Sequence, residues 1–86
     1  MRYFIKDYID KINLSDIKYF GAKNDIILCD DEASILYFYL KNDWEEILYG
    51  DFSNVIHEIR ERFDNSKGEK IINLFYYYKD KYKNYL

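Results

Sequence analysis

The chain has 86 residues, 49% of them hydrophobic and 34% charged, with a net charge of −3. That balance is too apolar for a disordered tail, and the length fits a single domain over 1–86. The single cysteine excludes an internal disulfide framework, and no apolar run approaches the roughly 20 residues that cross a bilayer.

Charges at Arg2, Lys6 and Asp7 come too early for the apolar core of a signal peptide, so a cytoplasmic protein is expected. Eleven Tyr and six Phe stand beside many Ile, Lys, Asn and Asp. Such a bias suits an AT-rich coding sequence. It also suits a Tyr-decorated recognition surface, because Tyr offers large contact area at low entropic cost.

Residues 3–13 carry a helical stripe. Phe4, Ile5, Tyr8, Ile9 and Ile12 share one face, and Lys6, Asp7, Asp10 and Lys11 share the other. Asn13-Leu14-Ser15 interrupts the pattern. Short apolar runs follow: Ile17–Phe20, Ile26–Cys29 and Ile35–Leu40, separated by Gly21–Asn24 and Asp30–Glu32. They read as three short strands in an antiparallel meander. On the third strand Leu36, Phe38 and Leu40 would face the helices, and Ile35, Tyr37 and Tyr39 would face outward. A helix over 32–41 fits the same run. Cys29, inside an apolar run, is expected as a buried thiol.

Residues 43–50 fit two readings. Asp43 with Glu46 makes a capping box and Gly50 a helix C-cap, which gives a short helix over 44–49; a fourth edge strand over 46–49 fits as well. Phe52, Val55, Ile56, Ile59 and Phe63 then stripe a helix over about 53–64, with Asp51 or Ser53 as N-cap. Ser66 and Glu69 form another capping box. Ile71, Leu74, Phe75, Tyr78 and Tyr82 share a face of a C-terminal helix reaching about residue 84. The expected fold class is α+β: a small two-layer domain with an N-terminal helix, a three- to four-stranded antiparallel meander and two C-terminal helices.

Catalytic motifs are absent. His57 stands alone on a polar helix face, the three glycines lie in separate turns, and no serine sits in a nucleophile elbow. We expect a non-enzyme with no metal and no cofactor. The carboxylates of Asp30-Asp31-Glu32 lack the alternating oxygens and glycine of a calcium loop.

Charge is the informative feature. Residues 25–51 hold eight carboxylates against the single cation Lys41, a local charge of −7, between two flanks of +2 each. Such an island attracts a basic partner and repels nucleic acid and membrane. The residues expected to bind that partner are Asp30, Asp31, Glu32, Tyr37, Tyr39, Asp43, Trp44, Glu45 and Glu46. Carboxylates would stand in for phosphates, and aromatic rings would anchor the contact. The expected partner is a nuclease or another nucleic-acid-binding enzyme whose basic site is occluded. A second reading has Tyr76, Tyr77, Lys79, Lys81 and Lys83 of the C-terminal helix binding nucleic acid. A third is a homodimeric structural subunit.

No family motif spans the chain. In size, acidity and Tyr content it resembles small stand-alone inhibitors of phage and bacterial conflict, the anti-CRISPR and toxin-immunity proteins. Trp44-Glu45-Glu46-Ile47 with Asp51-Phe52-Ser53-Asn54-Val55-Ile56 is similar to the strand-then-helix ending of SUKH-type immunity proteins. The resemblance implies inhibition by binding.

Overall fold

The computed structural model describes residues 2–83, and every regular element in it is an α-helix. These are α1 (Arg2–Lys11), α2 (Leu14–Lys23), α3 (Asp30–Tyr49), α4 (Ser53–Arg62) and α5 (Asn65–Tyr82). The expected α+β class is therefore corrected to all-α: no strand occurs among the described residues.

Local chemistry explains each departure from the meander. Asn13 is the N-cap of α2: its side chain accepts from the Asp16 N–H at 2.9 Å, and Asp16 accepts from the Asn13 N–H at 3.0 Å. This reciprocal box satisfies two orphan donors and nucleates helix where 17–20 looked like a strand. Ile17 and Gly21, four residues apart, both become buried. Residues 26–29 belong to no regular element, and Ile26 and Leu28 are buried while Ile27 and Cys29 are exposed. The alternation is there, but the segment is a connector with no partner strand, and the Cys29 thiol is exposed rather than buried.

Residues 35–40 lie within α3. Ala33, Leu36, Tyr39, Ile47 and Leu48 are its buried residues, at helical spacings. Asp43 departs from helical geometry at φ −123° and ψ 16° and kinks α3 there. The Asn42 side chain donates to the Phe38 carbonyl at 2.9 Å, the kind of insertion into the hydrogen-bond ladder that bends helices. Beyond the kink the short helix expected over 44–49 is present, ending at Gly50, whose N–H donates to the Glu46 carbonyl at 3.1 Å.

α4 follows its expected stripe, burying Phe52, Val55, Ile59 and Phe63 and half-burying Ile56. α5 starts one residue after Asp64, whose carboxylate accepts from the Lys67 N–H at 2.8 Å. Asp64, rather than Ser66, is its cap.

α3 is the hub. It packs against α1, α2 and α5, and α4 packs on α5. One core joins them, with Ile47, Ile59 and Ile72 the largest fully buried side chains. α1 uses only part of its apolar stripe. Ile9 is buried and Ile5 and Ile12 are half-buried, but Phe4 and Tyr8 remain 77% and 65% exposed. Its C-terminal end is tied down by Lys41, whose ammonium donates to the carbonyls of Ile9 and, at 2.9 Å, Asp10. A cation there meets the negative end of the helix dipole.

Candidate functional site

The nine residues expected to form one surface all lie on α3. They do not form one surface, because a helix distributes them around its axis and along its length. Asp30–Glu32 open the helix and Asp43–Glu46 lie near its end, roughly 20 Å away at 1.5 Å of rise per residue. Carboxylates in a first turn favour the positive end of the helix dipole, so the first group has a structural reason to stand where it does.

That group is largely neutralised by lysines. Asp30 pairs with Lys18 of α2. Glu32 accepts from the Cys29 N–H at 3.0 Å and receives the Lys67 ammonium on both oxygens at 3.0 Å each, tying the start of α3 to α5. The Cys29 N–H, and after it Lys67, hold the Glu32 carboxyl below its usual range, while Glu32 raises Lys67. Asp31 is exposed and pairs with no cation among the described residues.

The tyrosines separate as well. Tyr39 is 2% exposed, inside the core, and Tyr37 lies under the Lys41 ammonium at 5.1 Å. Tyr37 and Tyr39 therefore do not share an outward face. Trp44 is half-buried, edge-on to Tyr49 at 6.4 Å. Asp43 is half-buried at the kink, and burial, then Glu46 and Glu58 of α4, push its carboxyl up. Glu45 and Glu46 are exposed. The strand-then-helix resemblance over 44–56 fails on the same ground, since 44–49 is helical.

The residue that alternation assigned to the interior is the one α3 presents to solvent. Phe38 is 60% exposed. Asp31, Ser34, Phe38, Asn42 and Glu45 recur at spacings of three and four, and all five are exposed. With Glu46 beside them they make an outer face with an aromatic centre and carboxylates toward both ends. The helical spacing Ala33–Leu36–Tyr39 is the sequence signal that places Phe38 outside; the period-two alternation of the same run points the other way.

The lysine cluster expected on the C-terminal helix is also divided. Lys79 donates to the Gly50 carbonyl and lies 5.4 Å over the Phe52 ring, capping the end of α3. Lys83 pairs with Asp80 at 2.8 Å. Lys81 lies over the Tyr78 and Tyr82 rings at 6.0 and 5.9 Å. His57 is exposed and 3.0 Å from Glu61. Among the described residues no three His, Cys, Asp or Glu side chains gather as a metal site requires, and no helix is long and apolar enough to cross a membrane.

The Glu32–Lys67 pair has a pH signature. A carboxyl whose folded pKa is depressed adds stability above its unfolded value, and that stability is lost as pH falls through the folded one. The raised Lys67 contribution is lost as pH rises through its folded value. Urea midpoints should therefore fall at the acid end for the natural protein, and the acid limb should be shallower in Glu32→Gln. An identical acid limb in both would show that Glu32 contributes nothing through its charge.

Compared with known proteins, the chain matches no family model, no curated protein and no solved structure.

Proposed function

We propose that this protein is a non-enzymatic binding module that engages a basic protein partner through the outer face of α3, in the manner of a stand-alone inhibitor. Exposure of Phe38 in the middle of an acidic helix face is the observation that carries the reading. An exposed large ring costs nothing to fold around but gains about 2 kcal/mol when a partner covers it. Asp31 and Glu46 toward the two ends would steer a cationic surface onto that ring and set its register. The partner class that fits is a protein whose own ligand is a polyanion, such as an intracellular nuclease, because carboxylates toward the two ends of the face, Asp31 and Glu46, could stand in for separate phosphates. The site is narrower than the nine residues expected: it keeps Asp31, Glu45 and Glu46 and adds Phe38.

The test is affinity capture with the natural protein, Phe38→Ala and Asp31→Lys/Glu46→Lys. The expected result is a basic protein retained by the natural chain and released by a DNA oligonucleotide or by salt. Phe38→Ala should weaken capture at least 30-fold, on the order of the 2 kcal/mol of an interface anchor. The charge-reversed variant should lose the salt dependence. Capture that neither variant changes would refute the proposed face.

A further inference from the structure

A second surface carries the opposite chemistry. α5 places Lys70, Asn73, Leu74, Tyr77 and Lys81 at spacings of three and four, which puts them on one flank of the helix. The end of α2 faces that flank. Asn24 and Ile26 of the connector complete a cleft of about 330 Å³ with Lys70, Asn73, Leu74 and Tyr77. No carboxylate lines it. Tyr77 of the cleft meets Tyr78 edge-on at 5.2 Å, Tyr78 meets the Phe20 ring of α2 at 5.5 Å, and Lys81 lies over Tyr78 at 6.0 Å.

The lysines of this chain divide by what they touch. Lys6, Lys11, Lys18, Lys67 and Lys83 each pair with a carboxylate. Lys41 and Lys79 cap helix ends. Of the three that remain, Lys70 lines this groove, Lys23 precedes its lining residue Asn24 in the chain, and Lys81 follows its lining residue Tyr77 by one helical turn. Lys23 lies over the Tyr19 ring at 5.5 Å and immediately precedes Asn24. Among the described residues Lys70 donates to the Asp25 carbonyl, at 3.3 Å, and Lys81 lies over rings, neither with a carboxylate partner there. Ammonium groups without carboxylate partners are where a chain of net charge −3 can still accept an anion.

We propose that the α2–α5 groove binds a single-stranded nucleic acid segment. Each part of the groove meets one part of such a strand. Tyr77, 54% exposed, offers a face on which a base stacks. The Asn73 carboxamide carries both donors and acceptors for base edges, and Asn24, whose side-chain nitrogen donates to the Phe20 carbonyl at 2.9 Å, adds its oxygen as an acceptor. Lys23, Lys70 and Lys81 meet phosphates. Lys70 to Lys81 spans roughly 16 Å of helix, the length of about five stacked nucleotides. An acidic peptide would satisfy the lysines and could pair with the carboxamides, but it offers no flat ring to stack on the exposed face of Tyr77, so the strand is the better fit. This surface is separate from the outer face of α3, and the inference does not depend on the protein-binding reading.

Fluorescence anisotropy with a labelled oligouridine of about eight nucleotides tests it, with the matching oligothymidine to distinguish RNA from DNA. A poly-glutamate peptide of equal length serves as competitor. We expect micromolar binding at low salt, falling roughly 20-fold between 50 and 200 mM salt, as three neutralised phosphates on a single strand require. Tyr77→Ala should weaken binding about ten-fold and Tyr77→Phe should retain it, because the stack needs the ring and not the hydroxyl. Lys70→Ala/Lys81→Ala should flatten the salt dependence while circular dichroism stays that of the natural chain. Failure of the natural protein to bind either strand overturns the proposal. So does binding unchanged in the lysine variant, or displacement of the strand by poly-glutamate at lower concentration than by unlabelled strand.

Discussion

Tyr39→Ala should come close to unfolding this protein, while Tyr37→Ala, two residues away, should barely disturb it. The Tyr39 side chain is 2% exposed and its ring is edge-on to Phe38 at 6.1 Å. Truncating a buried aromatic residue removes its transfer free energy and leaves a cavity, together about 3–5 kcal/mol. A domain this small has on the order of 5–10 kcal/mol in total. The expected loss is a fall in melting temperature of roughly 15 °C or more, read by circular dichroism. Tyr37, exposed beside Lys41, should cost less than about 1 kcal/mol. In an alternating strand the two rings would share a face and behave alike, so equal losses would contradict the helix.

A companion substitution isolates the Tyr39 hydroxyl. It is buried and has no hydrogen-bond partner among the described residues. Burial, and after it the Glu58 carboxylate, push the phenol up, so the group is neutral throughout the ordinary pH range. An unpartnered buried hydroxyl costs free energy in the native state. Tyr39→Phe should therefore leave stability unchanged or raise it by about 1 kcal/mol. A loss would mean that the hydroxyl has a partner.

Two glycine-to-alanine changes should have opposite signs. A Cβ on Gly21 would sit 2.7 Å from the Ile26 carbonyl oxygen and 3.0 Å from the Leu28 Cδ1. The connector cannot move away freely, because the Ile26 N–H donates to the Gly21 carbonyl at 2.8 Å and both Ile26 and Leu28 are core residues. Forcing an extra methyl between a helix and a pinned backbone costs about 1–3 kcal/mol, more than the alanine gains as a helix former. Gly68 differs. Its nearest neighbour would be the Phe63 Cβ at 3.5 Å, an ordinary contact. Gly68→Ala should stabilise α5 by up to about 1 kcal/mol. Urea unfolding of the two variants checks the sign directly, and a stabilised Gly21→Ala would show that the connector is free to shift.

Gly21 also marks where local reading reached its limit. From sequence, Gly21–Asn24 looked like a turn between strands. Gly21 is instead a helical residue whose missing side chain lets the following connector fold back across it. Asp25, at φ 64°, makes the reversal that glycine was expected to make. Nothing in the local pattern separates a glycine required by a loop from one required by a close approach, because the atom it must avoid lies five residues away.

Where periodicity was long, sequence and structure agree. The stripes of α1, α4 and α5 were legible because ten or more residues repeat at 3.6, and the end of α3 at Gly50 was legible as a C-cap. The middle of the chain was not. Ile17–Phe20 and Ile35–Leu40 are rich in β-branched and aromatic residues, which favour strands when a sheet exists to receive them. No sheet exists among the described residues, so capping at Asn13 and Asp16, and packing of Leu36 and Tyr39, set the outcome.

Charge shows the same division. The carboxylates of residues 25–51 and the polarity they confer on α3 are properties of composition, present whatever the fold. Which of them stay available to a partner is a tertiary property. Lys18 and Lys67 come from distant parts of the chain to neutralise Asp30 and Glu32, and only packing brings them there. Likewise the ring that α3 shows to solvent is Phe38 and not Tyr39, since a helix turns 100° per residue and the core accepts one side of it.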